Sequence, residues 1–138
     1  MSEVFKISST SELLLPAKKI ISLLKDHKIV VFEGEIGSGK TTLIARICKL
    51  IEIPGISSPT FAIINTYSSK DLGEIYHFDL YRIKDENEAI LSGLEELIDS
   101  GNICFIEWPE KINNLLPNKY VRVVIKVKNN IRQITIST

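Results

Sequence analysis

Residues 34–41 read Gly34-Glu35-Ile36-Gly37-Ser38-Gly39-Lys40-Thr41. The segment satisfies G-x-x-x-x-G-K-[ST], and it stands in the setting that gives that pattern meaning. The continuous apolar run 29–32 precedes it and reads as a strand covered on both faces. From Thr41 to about Ile51 a helix is expected, with Leu43, Ile44, Ile47 and Leu50 turned inward. Strand, glycine loop and helix in that order predict a loop that wraps phosphates. Gly34 and Gly39 are expected to supply tight, partly left-handed backbone, and Gly37 close approach to the ligand. Successive N–H groups from about residue 37 to Thr42 then point inward at the start of a helix, where anions are favoured. The whole loop, Glu35, Ile36 and Ser38 included, is a candidate nucleotide contact. Lys40 is expected to reach the β- and γ-phosphates, and the Thr41 hydroxyl to face Mg²⁺.

A phosphate loop does chemistry only beside a carboxylate. Two acids qualify, each at the end of a strand-like run: Asp79 closes IYHFD and Glu107 closes ICFIE. In a parallel sheet both ends fall at the same edge as the loop. One of the pair would hold the metal or a metal-bound water, and the other would orient the attacking water.

The rest of the chain supplies the scaffold. A short strand is expected at 4–7 and a helix over 12–25, with Ser9 and Glu12 at capping-box spacing and Pro16 as an anomaly past the first turn. Residues 61–67 and 75–79 read as a hairpin turned by SSKDLG. Residues 85–99 read as an acidic helix weakened at Gly93 and ended by Gly101. Residues 120–127 and 131–137 alternate in period two around Asn129-Asn130, a second hairpin. The expected architecture is a single α/β domain over residues 1–138, a P-loop NTPase-like three-layer fold with a mixed central sheet.

Composition narrows the function. With 138 residues there is no room for a second core. No apolar run approaches the 18 or so residues that a membrane span needs, and the first residues carry no secretory signal, so a cytoplasmic protein is expected. Two cysteines make no disulfide framework, and Cys48 and Cys104 read as buried small hydrophobes. The zero net charge conceals blocks: +3 over residues 1–70, −9 over 71–110 and +6 over 111–138. That is not the uniform basicity of a DNA binder, though the acidic 85–99 stretch and the terminal hairpin are candidate docking faces. His77 reads as a packed or hydrogen-bonded structural histidine rather than a catalytic one. Tyr81 and Arg82 follow Asp79 closely enough to brace the site or meet a partner.

No Asn-Lys-x-Asp motif for guanine is present, which favours adenine. Four arginines and no sizeable insertion leave little for the lid of a kinase, which favours hydrolysis, slow unless a partner supplies charge or closure. A small-molecule or nucleoside kinase and a nucleotide-binding scaffold with little turnover are the alternatives.

Beyond the loop, the chain contains SPTFAIINTY at 58–67, IYHFDLYRI at 75–83, GLEEL at 93–97 and ICFIEWPE at 103–110. With GEIGSGKTTL at 34–43, this series resembles the TsaE family, also called the YjeE family. Members are small bacterial ATPases required for the threonylcarbamoyl modification of tRNA adenosine 37. The resemblance implies ATP/ADP and Mg²⁺ as ligands, Glu107 and Thr41 on the magnesium, and Asp79 as the functional aspartate. It implies that Ser58, Pro59 and Thr60 form a switch-like loop and that Trp108 moves with nucleotide state. It also brings Thr10 near the base. The implied partners are the TsaD and TsaB proteins, with tRNA met only through their complex and no membrane or DNA involved. Ser38 in place of a commoner alanine is expected to be harmless.

Overall fold

Seven strands form one sheet in the computed structural model, which describes residues 2–53 and 63–138. Strand β1 (Ser2–Ile7) leads through a 3-10 turn (Thr10–Leu13) into helix α1 (Leu14–Leu23), then β2 (Ile29–Glu33) and helix α2 (Lys40–Leu50). Strands β3 (Ile64–Ser69) and β4 (Gly73–Asp79) follow, then the short helices α3 (Glu86–Leu91) and α4 (Leu94–Ile98). Strand β5 (Ile103–Glu107), a 3-10 segment (Pro109–Leu115) and the hairpin of β6 (Val121–Lys128) with β7 (Ile131–Ser137) complete the chain.

The strand order is β1-β7-β6-β2-β5-β4-β3. The centre is parallel, β6 with β2, β2 with β5, and β5 with β4, while both flanks are antiparallel. The two innermost strands, covered on both faces, run apolar up to a terminal acid, as in β2 (IVVFE) and the all-buried β5 (ICFIE). Alternation sends their side chains to two cores. Val30, Phe32, Phe105, Val123 and Ile134 pack under α1 and α2. Ile29, Val31, Phe78, Cys104 and Ile106 pack against α3, α4 and the 3-10 segment after β5. The result is the expected three-layer α/β fold with a mixed sheet. Among the described residues no helix is long and apolar enough to cross a membrane.

Three local expectations change. The α-helix begins at Leu14, not at residue 12, so Pro16 sits in its first turn, where the N–H it lacks would have no partner anyway. The expected box does not form: Glu12 accepts the N–H of Ser8 (3.2 Å), one residue ahead of the cap, and Ser9 caps no helical N–H. The 85–99 stretch is two helices, because Gly93 adopts a left-handed φ of 80° between them. The hairpin turn at Asn129-Asn130 is as read, with both residues left-handed (φ 52° and 63°), the signature of a type I′ turn.

Candidate functional site

The strand register decides the geometry. Phe32, the second-to-last residue of β2, lies opposite Glu107, and Asp79 lies opposite Glu107 on the other side. The two carboxylates predicted from sequence therefore end adjacent parallel strands at the same edge from which the glycine loop emerges. The cleft there is lined by residues 35–42 of the loop and helix, by Asp79, Tyr81, Glu107 and Trp108, and by Arg132.

The loop turns through Gly37 (φ 80°) and Gly39 (φ 108°), which caps α2. Gly34 serves differently from the expectation. Its backbone needs no left-handed freedom, but a Cβ there would stand 2.5 Å from the Ser38 Oγ and 2.9 Å from the Ile125 carbonyl. Gly34, then, is the close-approach glycine, and Gly37 joins Gly39 as left-handed, with open space where a Cβ would stand. The Ser38 hydroxyl is buried against Gly34 without a hydrogen-bond partner.

Lys40 is 5% exposed, an unusual place for an ammonium. Its Nζ donates to the Gly34 carbonyl and lies 3.5 Å from the centroid of the Trp108 ring, in cation–π contact. Burial pulls its pKa below the ordinary lysine value, opposed by Glu107, Glu110 and Asp79. Trp108 is held there by unusual backbone, with φ 61° and ψ 52°, and its ring meets Tyr81 at 5.0 Å between centroids.

Thr41 Oγ1 donates to Glu107, 3.0 Å from Oε1 and 3.3 Å from Oε2. Glu107 is 3% exposed, and its other side meets a residue that sequence reasoning set aside as structural. His77 Nε2 lies 2.6 Å from Glu107 Oε2, and His77 Nδ1 lies 3.0 Å from the Tyr67 hydroxyl. Burial pushes the Tyr67 hydroxyl up to about 12, so it remains a proton donor at neutral pH. Asp79 is half-buried, and its Oδ1 accepts the N–H of Tyr81 (3.2 Å). Tyr81 and Arg82 stand exposed in the turn after β4.

Sequence reasoning also passed over Arg132. From β7 it reaches across the loop, Nε donating to the Ser38 carbonyl at 2.8 Å, with a terminal nitrogen 3.5 Å from the Gly37 carbonyl. It stands between the phosphate cleft and a second recess lined by Ile7, Ser9, Thr10, Leu13, Thr42 and Ile125, among others. Thr10 thus lies beside the loop, across from Thr42. The expected switch residues Ser58, Pro59 and Thr60 lie outside the described residues.

The donor set suits a small hard cation. Thr41 and Glu107 offer adjacent oxygens in a cleft with room for phosphate, and among the described residues no cluster of three or more His, Cys, Asp or Glu forms a cage. Mg²⁺ is ordinarily held this way, by one or two protein oxygens, phosphates and water.

A three-layer sheet with a glycine loop between β2 and α2, and two carboxylates at the same edge, defines the phosphate-loop NTPase class. The comparisons with known proteins go further. The family described as "Threonylcarbamoyl adenosine biosynthesis protein TsaE" matches residues 7–134. The "tRNA threonylcarbamoyladenosine biosynthesis protein TsaE" of Rickettsia bellii is 42% identical over 113 residues, 80% of this chain and 77% of that protein. The protein of the same name from Bacillus subtilis is 36% identical over 80% of this chain and 68% of its own length. The crystal structure of Bacillus subtilis YdiB superposes with a TM-score of 0.78 at 28% identity, covering 99% of this chain and 84% of that one. The chain belongs to the TsaE family.

Proposed function

We propose that this chain binds ATP with Mg²⁺, hydrolyses it slowly, and acts as a nucleotide-driven switch on a TsaB–TsaD complex that carries out the threonylcarbamoyl modification of tRNA. The observation that carries the reading is the meeting of Lys40, Thr41 and Glu107 at one loop-to-helix junction, with Asp79 in register beside them.

Each residue has a physical task on this reading. The N–H groups of residues 37–42 and the start of α2 cradle the phosphates, and Lys40 neutralises their charge. Thr41 and Glu107 hold the cation, which when bound draws charge from the phosphate oxygens. Asp79, half-buried at the neighbouring strand end, orients the attacking water and accepts its proton. Arg132 fixes the loop through its carbonyls, and the recess beside Thr10 takes the base. The described cleft is open and offers no second cation over the transferring group except Arg132, which is engaged with the loop. Slow turnover in isolation, raised by partners, follows.

The test is phosphate release from ATP by the chain alone and with TsaB and TsaD, with and without Mg²⁺. Magnesium-dependent release that the partner pair alters, and that Glu107→Ala abolishes, is the expected result. Partners that neither bind nor change turnover would sink the switch. Full magnesium-dependent activity in Glu107→Ala would remove Glu107 from the metal.

A further inference from the structure

We infer that His77 is a positioning residue for the Glu107 carboxylate, and that the chain Tyr67–His77–Glu107 fixes which carboxylate oxygen is left for the cation. The inference deepens the magnesium reading above and rests on it.

The geometry assigns directions to the hydrogen bonds. The Glu107 carboxylate at Nε2 can only accept, so in the neutral imidazole Nδ1 is left as the acceptor and Tyr67 O–H points to it, 3.0 Å away. The imidazole then carries its proton on Nε2 and donates to Glu107 Oε2 at 2.6 Å. Oε2 thereby carries the short histidine bond, with Thr41 Oγ1 a longer 3.3 Å away. Oε1 is left toward Thr41 Oγ1, 3.0 Å away, the second oxygen of the expected cation site. His77 is 4% exposed and Glu107 3%, so water does not compete for the bond between them. A free glutamate has rotamers to lose on binding a metal. One whose outer oxygen is already tied presents the other at no further ordering cost.

The fold explains why the pairing exists. On β4, His77 and Asp79 point to the same face, and β4 pairs with β5 so that His77 lies opposite Phe105 and Asp79 opposite Glu107. His77 therefore sits two residue pairs behind the two carboxylates on the same face, within diagonal reach of Glu107. Tyr67 comes from β3, the edge strand, two pairs removed from the residue opposite His77. The metal carboxylate is thus braced from the next strand over, and that strand from the one beyond. Partners that orient metal-binding groups in this way typically change metal affinity by about 10- to 100-fold when removed.

The experiment is calorimetric titration of Mg²⁺ into the full chain saturated with ADP, beside ADP affinity measured in EDTA. Thermal melts confirm that each variant is folded. His77→Ala is expected to weaken the Mg²⁺ titration by about 10- to 100-fold while leaving ADP affinity in EDTA within about 2-fold of the native chain. His77→Gln, whose amide N–H can replace the Nε2 donor, is expected to recover most of that loss. Tyr67→Phe, which keeps the ring and removes the outer donor, is expected to cost about 2- to 10-fold. A histidine that merely packs would lower both affinities together or neither, and Gln would not rescue it. Either of those results overturns the inference. A native chain whose ADP complex takes up no Mg²⁺ overturns the magnesium reading itself, and that result is distinct from the first two.

Discussion

Trp108 adopts left-handed backbone, φ 61° and ψ 52°, immediately before Pro109. For a bulky residue without the freedom of glycine, that conformation costs roughly 1–2 kcal/mol. The ring offsets the strain by packing: one cation–π contact to Lys40 at 3.5 Å, and one aromatic contact to Tyr81 at 5.0 Å. These contribute on the order of 0.5–2 and 0.5–1.5 kcal/mol respectively. Two substitutions separate the opposing terms. Trp108→Ala removes the ring and keeps the strain, whereas Trp108→Gly removes both. Trp108→Ala should therefore be destabilised by about 1–3 kcal/mol, and Trp108→Gly should be more stable than Trp108→Ala by about 1 kcal/mol. For a chain of this length that gap is about 3–5 °C in melting temperature. The sign is the informative part, since alanine is ordinarily the more stabilising of the two in regular structure. Urea or thermal unfolding of the two variants decides it. A Trp108→Ala chain as stable as Trp108→Gly, or more so, would refute the account of Trp108 as a strained residue held by its contacts. The same pair reports on function. Both variants free Lys40 of the ring, so both should bind nucleotide more tightly than the native chain, by up to about 10-fold for a cation–π contact of this kind.

Other expectations are shorter. Gly34→Ala would drive a methyl group against the Ile125 carbonyl and the Ser38 hydroxyl, so it should cost about 1–3 kcal/mol and loosen the loop, measured as lower melting temperature and weaker nucleotide binding. Arg132→Ala removes the charged donor to the Ser38 carbonyl and should weaken nucleotide binding by about 10-fold, with a smaller loss of stability because the side chain is only half-buried. Burial pushes the Cys48 and Cys104 thiols up to about 12, so both stay protonated at neutral pH; a disulfide reagent should find neither in the native chain and both in denaturant. Phe105→Ala, which empties the fully buried site packed edge-on to Phe32, should cost about 3–5 kcal/mol by denaturant unfolding.

What was legible in the sequence was whatever is encoded locally. The phosphate loop is contiguous, and its flanking strand and helix announce themselves by period, so its position between β2 and α2 could be read directly. Asp79 and Glu107 were readable because an apolar run ending in one acid marks the carboxyl end of a buried strand. That such ends share an edge follows from parallel pairing alone. His77 and Arg132 were not readable, for one reason in two forms. Each acts across a strand pairing whose partner and register the sequence does not carry. The alternation of β4 tells that His77 faces inward but not that Glu107 waits two residues along the neighbouring strand. The β6–β7 hairpin is plain from Asn129-Asn130, but its placement beside β2 is made by a crossover, and only that brings Arg132 to the loop. Trp108 did leave a trace: Pro109 disfavours right-handed helical backbone at the residue before it, so the exit from β5 had to turn some other way. At Gly93 the helical period ran on through a residue whose left-handed φ breaks it.

The groups expected to meet ligand are already occupied by the protein. Lys40 is shared between the Gly34 carbonyl and Trp108, Thr41 is bonded to Glu107, and Arg132 is bonded to Ser38. Nucleotide binding on the proposed reading is therefore an exchange of partners. Its apparent affinity is lowered by the contacts given up, about tenfold for each 1.4 kcal/mol. The exchange also has direction. A phosphate that draws Lys40 away removes the contact that offsets the strain at Trp108, and Trp108 in turn holds Tyr81, which is 48% exposed. A cation between Thr41 and Glu107 opens their bond on the same strand end, one residue before Trp108. Both ligands thus act on a single strained residue at the rim of the cleft. On the proposed reading, a phosphate that draws Lys40 away leaves only the Tyr81 contact to offset the strain at Trp108, so occupancy of the cleft would be felt at an exposed residue, which is the property a switch subunit requires.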